Sequence, residues 1–129
     1  MNDRNITRAP LEVARASFKA YETKDRAALE EILADDFHFT SPLDNALDRE
    51  TYLEICWPNS GEITNFEYQV QIEDGERAFV VYEASTKSGK RFRNAELHTV
   101  RDGKLVSVEV YFGWDLPHKA KPNHHVSRP

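Results

Sequence analysis

One cysteine, Cys56, in 129 residues excludes an internal disulfide, so packing and hydrogen bonds have to hold the fold. No apolar run approaches the ~18 residues of a membrane-spanning helix, and no charged-then-apolar leader opens the chain. A cytoplasmic protein with no membrane role is the expectation. Basic residues are not in excess either: 17 Lys and Arg face 22 Asp and Glu, for a formal charge of −5. That balance argues against a surface that tracks phosphates, and no nucleic-acid partner is expected. The 5 glycines form no phosphate-binding loop, and no His, Cys or carboxylate spacing suits a metal, so neither cofactor nor metal is expected. Repeats and internal linkers are missing as well. What is present, 40% hydrophobic residues with 2 Trp, 5 Tyr and 7 Phe, suits one globular domain spanning 1–129.

A helical front third precedes a strand-rich back half, which predicts an α+β fold. Pro10 suits the first position of a helix, and Leu11, Ala14, Phe18 and Tyr21 recur at spacings of three and four. Val13, Ser17 and Ala20 widen that stripe and put Ser17 in the middle of the buried arc. Asp25 caps a second helix over 26–34, with Leu29, Ile32 and Leu33 as its apolar side. Phe37 to Ser41 reads as a strand with Phe37, Phe39 and Ser41 inward, stopped by Pro42. Asp48 caps a third helix that ends before Pro58, with Leu47 and Tyr52 as its hydrophobic staple and Trp57 at its end. From Thr64 the period becomes two, with Phe66, Tyr68, Val70 and Ile72 on one face. Turn signals at Asp74-Gly75, Ser88-Gly89 and Asp102-Gly103 predict a four-stranded antiparallel meander. The core spans 10–115. Residues 116–129 hold Pro117, Pro122 and Pro129 and no acid, and read as a loose tail; its His118, His124 and His125 lack a cysteine or carboxylate partner for a metal.

Asn94, Glu96 and His98 are spaced by two and share one face of the third meander strand. In the last strand Val106, Val108, Val110 and Phe112 form the core face. A two-residue loop, Asp102-Gly103, pairs that face with Arg93, Ala95, Leu97 and Thr99 and turns Glu96 and His98 outward. A three-residue loop, Arg101 to Gly103, slips the pairing by one and turns Asn94, Glu96 and His98 inward. Segregation of apolar residues alone favours the first.

The order of these elements, with "LADDFHFTSP" at 33–42 and "ELHTVRDGKLVSVEVYF" at 96–112, resembles the NTF2-like superfamily, and within it the steroid delta-isomerase and SnoaL-like branch. The resemblance covers residues 10 to 115. It implies a cone in which a curved sheet wraps a long helix, a pocket at the wide end, and a homodimer through the outer sheet face. It also places Glu96 opposite Val108, inside the cone, and so favours the three-residue loop. Two of the isomerase's acid–base positions fall on Ser17 and Ser41 here, in place of a tyrosine and an aspartate, so the steroid isomerase activity does not carry over. What remains is acid–base work by His98 as base and Glu96 as its partner or as acid, on a small hydrophobic molecule. Ser17, Tyr21, Phe39, Ser41, Trp57, Tyr82, Asn94 and Phe112 are the expected pocket lining. Cys56 reads as a buried thiol. The other reading is a non-catalytic dimeric interaction module whose outer face is Arg93, Ala95, Leu97, Thr99, Leu105, Ser107 and Tyr111.

Overall fold

The structure, a computed structural model, describes residues 8–127. Helix α1 (Pro10–Thr23) opens on its proline and closes where Lys24 enters the left-handed region at φ 61°. The Asp25 carboxylate accepts from the Ala28 N–H at 3.1 Å and starts α2 (Arg26–Ile32). This helix is shorter than its apolar pattern predicts, because Leu33 and Ala34 already belong to strand β1 (Leu33–Ser41). Strand β2 (Asp44–Asp48) follows; its DNALD sequence carries no strand signal, and pairing with β1, Phe39 opposite Leu47, makes it a strand. Asp48 caps α3 (Arg49–Ile55) by accepting from the Thr51 N–H at 2.9 Å, and a short 3-10 helix (Trp57–Gly61) leads into the meander.

That meander is as expected: β3 (Ile63–Asp74), β4 (Arg77–Thr86), β5 (Arg91–Arg101) and β6 (Lys104–Leu116), each antiparallel to the next. Strand β1 adds parallel to β6 and completes a six-stranded sheet of order β2-β1-β6-β5-β4-β3. The sheet is curved and unclosed, and the helices lie against its concave side. Among the described residues no helix is long and apolar enough to cross a membrane.

Two bulges decide which side chains face inward. In the β5–β6 hairpin Arg101 pairs with Lys104, so the loop is the two-residue Asp102-Gly103, both at positive φ (53° and 77°), as a type I′ turn requires. One step later Thr99 pairs with Ser107 while Val100 pairs with Leu105, which leaves Val106 as an extra residue. The turn is therefore that of one sequence alternative and the facing that of the other: Glu96 lies opposite Val110 and His98 opposite Val108. Leu105, expected on the outer face, is buried. In β3 a bulge between Tyr68 and Val70 does the reverse: Phe66 and Tyr68 stay against α1, while Val70 and Ile72 turn outward and are exposed.

The core lies in two clusters. Phe18 of α1 meets the rings of Phe66, Tyr68 and Tyr82 edge-on, with centroids 4.9, 5.6 and 5.0 Å away. Phe37, Leu29, Leu105 and Val108 form the other, beneath α2 and α3. Each fully buried side chain of this size stabilises the fold by about 1.5–3 kcal/mol relative to exposure.

Candidate functional site

Residues from both clusters, Leu29, Phe37 and Leu105 with Phe18, Phe66 and Tyr82, line a cavity of about 240 Å³ in the concave side. A single water needs only ~10–15 Å³, so the cone is open and not packed solid. Buried His98, Leu105 and Val108 form its inner end, and exposed Leu43 and Phe112 border its mouth.

Strand β5 supplies the polar wall. The Glu96 carboxylate accepts from the Tyr82 hydroxyl at 2.7 Å through one oxygen and lies 2.8 Å from His98 Nε2 through the other. A carboxylate can only accept, so with Glu96 ionised the imidazole carries its hydrogen on Nε2. Its other nitrogen, Nδ1, is buried and has no hydrogen-bond partner among the described residues. The two side chains differ in access: His98 is 1% exposed and Glu96 15%. Asn94 Nδ2 lies 3.5 Å from the Tyr82 oxygen, and Asn94 Oδ1 accepts from the Gly113 N–H at 3.1 Å, which ties the network to a further bulge in β6.

A second hydroxyl pair lies on the helical wall. Tyr21 of α1 and Tyr52 of α3 share a hydrogen bond of 2.7 Å, and both rings line the cavity. Burial pushes the Tyr21, Tyr52 and Tyr82 phenols well above the ordinary value of 10.0, and the charge of Glu96 adds to the rise. All three are therefore neutral hydrogen-bond donors at physiological pH.

Of the expected lining, Ser17, Tyr21, Phe39, Ser41, Tyr82, Asn94 and Phe112 border the cavity, together with Glu96 and His98. Trp57 does not: its ring packs edge-on against Tyr21, centroids 5.1 Å apart, behind the wall. The serines are engaged locally. Ser17 Oγ donates to the Ala14 carbonyl at 2.8 Å, and Ser41 Oγ donates to Asp44 at 2.7 Å while accepting from the Leu43 N–H. Sequence reasoning missed Tyr52, Asp44 and Cys56 as lining residues. Tyr52 was legible only as a staple, and Asp44 lies on the unforeseen β2. Burial and the Asp44 charge push the Cys56 thiol up to about 11. Among the described residues no group of three His, Cys, Asp or Glu side chains is placed to hold a metal ion.

Three solved structures are similar across most of their length. A protein from Kribbella flavida DSM 17836 superimposes with a TM-score of 0.75 at 20% identity, over 81% of this chain and 87% of that one. An NTF-2 like protein of unknown function from Burkholderia xenovorans LB400 gives 0.68 at 23% identity, over 79% and 80%. Wild-type IdmH, a candidate polyketide cyclase from Streptomyces antibioticus, gives 0.65 at 20%, over 80% and 91%. None of the curated proteins matches the chain. At such identities the likenesses establish the NTF2-like fold alone, but the model of the SnoaL-like domain matches residues 14–108 directly, and the chain belongs to that family.

Proposed function

We propose that the protein binds a small hydrophobic carbonyl compound in the cone and moves a proton on it, with Glu96 as the proton-transferring group. The observation that carries this reading is the Glu96 carboxylate on the wall of an apolar cavity, held by Tyr82 at 2.7 Å and His98 at 2.8 Å. Burial favours a reversal of the roles read from the sequence. Glu96 has access to the cavity, and the deeply buried His98 orients it and shares its charge. The similarity to candidate polyketide cyclases supports a substrate with an acidic C–H next to a carbonyl. Glu96 takes that proton as the C–H bond breaks, and the electron pair moves onto the carbonyl oxygen as an enolate. In the neutral Tyr21–Tyr52 pair one hydroxyl donates to the other, and the remaining O–H donates to the oxyanion. The enolate carbon then either attacks a second carbonyl of the same molecule, whose alkoxide takes the proton back, or is reprotonated at another position. Either course is a net isomerisation and needs no co-reactant.

The test uses 2-tetralone, a bicyclic ketone with acidic α-hydrogens. In D2O the protein accelerates its α-deuteration above buffer, measured by proton NMR, and Glu96→Gln loses at least about tenfold of the acceleration. Binding without acceleration leaves a non-catalytic pocket, and absence of binding defeats the reading.

The outer sheet face supports a second element, a homodimer. Val70, Ile72, Phe79, Val81, Ala95, Leu97 and Tyr111 are joined there by cross-strand pairing, with Ile72 53% and Tyr111 52% exposed. A second copy of the same face covers this apolar surface, and sedimentation velocity at micromolar concentration reads the dimer directly.

A further inference from the structure

The cavity does not end at its mouth. Phe92, Asn94 and Phe112 line its rim, and the same three side chains wall a second hollow of about 330 Å³ with Gly113, Trp114 and Asp115. Those last three border a third hollow, about 360 Å³, whose far wall is the segment after β6, through His118, Lys119, His124 and His125.

The backbone of β6 accounts for this succession. Phe112 pairs with Asn94 and Trp114 with Arg93, so Gly113 is a bulged residue that turns its two aromatic neighbours to opposite faces of the strand. Glycine is required there, since a Cβ would lie 2.1 Å from the Arg93 carbonyl oxygen. β1 pairs with β6 only as far as Glu109, so among the described residues the aromatic stretch runs along an open edge. Phe112 is 53% and Trp114 49% exposed. The Arg93 guanidinium, 5.8 Å from the Trp114 ring centroid and bonded to Glu83 at 2.7 Å, holds the indole in place. Beyond it the charge changes sign. Asp115 is the one acid bordering the third hollow, and the residues after it offer donors. His118 Nδ1 accepts from the Ala120 N–H at 2.9 Å, which leaves Nε2–H as a donor, and Lys119 borders the same hollow.

Building on the reading of the cone as a ligand pocket, we infer that this track is a second subsite, and that the ligand is amphipathic. Its apolar ring system occupies the cone, its arm leaves over Phe112 and rounds the open edge of β6 at Gly113 to Trp114, and an anionic group at its end meets His118 and Lys119. Across the bulge, Phe112 to Leu116 runs opposite the three steps from Asn94 to Arg91, about 10 Å at ~3.3 Å per residue, which sets the arm length. Asp115 makes the reading directional: a carboxylate on too short an arm stops against another carboxylate.

The probes are naphthalene and a series of ω-(2-naphthyl)alkanoates of increasing chain length, each beside the matching alcohol, titrated by calorimetry. With short arms the alcohol binds better than the acid; with arms that reach the third hollow the acid binds about tenfold tighter. His118→Ala/Lys119→Ala, substitutions outside the sheet, abolish the acid's advantage and leave naphthalene binding unchanged. Trp114→Ala weakens the long-armed acid and alcohol alike. An acid no tighter than its alcohol at every length, or an advantage that survives the double substitution, overturns the second subsite while naphthalene binding sustains the cone. Failure of naphthalene itself to bind removes the cone reading and this one with it.

Discussion

The middle of strand β5, residues 94–98, carries opposite chemistry on its two faces, and in the reverse of the usual sense. There the concave face presents half-buried Asn94 and Glu96 and fully buried His98, whereas the convex face presents Ala95 and Leu97, half-buried between Arg93 and Thr99. A sheet face of charged groups belongs in water, and one of aliphatic groups belongs in a core. The inner polar groups border the cavity, and the outer aliphatics belong to the face proposed to meet a second copy. Two strands away a related contrast occurs along a single strand, for β3 is packed as far as Tyr68 and exposes Val70 and Ile72 beyond its bulge.

The contrast breaks most strongly at full burial. Phe37→Ala, which empties the largest fully buried side chain, should cost about 3–5 kcal/mol in urea unfolding, while Ile72→Ala on the convex face should change monomer stability by less than about 0.5 kcal/mol. Next comes the polar pair. His98→Leu leaves Glu96 with a single side-chain donor, Tyr82, and should cost about 3 kcal/mol at neutral pH. Replacing both Glu96 and His98 by Leu should return stability to within about 1 kcal/mol of the parent while abolishing exchange on 2-tetralone. A double variant as unstable as the single one would show that the pair stabilises the fold and is not retained for chemistry.

These two faces were only partly legible in the sequence. The caps at Asp25 and Asp48 and the four-strand meander follow from local periodicity and turn chemistry, and the structure has them, whereas the cone pocket and the places of Ser17, Ser41 and Glu96 in it came from the family resemblance. The facing of Glu96 did not follow, because a bulge is a two-strand event. Asp102-Gly103 specifies the turn, but only the packing of Val108 and Val110 against the core decides that Val106 is skipped. For the same reason Val70 and Ile72 read as core from alternation alone. β2 was invisible because pairing, not propensity, makes it. Trp57 was misplaced because a residue after a helix end has no periodicity to orient it.

The convex face gives the third and weaker effect. Ile72→Lys should leave the monomer as stable as before and weaken self-association at least about tenfold in sedimentation velocity. An unchanged dimer would move the interface elsewhere and leave the exposed aliphatics without a partner. An equally dimeric Ile72→Lys paired with a monomeric Phe112→Lys would instead assign the interface to the mouth of the cone.

The smallest effect uses Cys56 as a reporter of the concave interior. Its thiol titrates at about 11 instead of the ordinary 9.0, so at pH 8 the thiolate fraction is about 10⁻³ where an exposed cysteine has about 10⁻¹. Modification by a disulfide reagent should be roughly a hundredfold slower than for a free thiol. A raised value favours the protonated folded form, so this stabilisation is whole below pH 9 and is lost as pH rises toward 11. Burial is the larger cause and Asp44 the smaller, so Asp44→Asn should speed modification only roughly threefold. Naphthalene in the cone should slow it again, in both proteins, because the thiol borders the cavity. A thiol indifferent to naphthalene would place the hydrocarbon outside the cone and turn attention to the aromatic edge at Phe112 and Trp114.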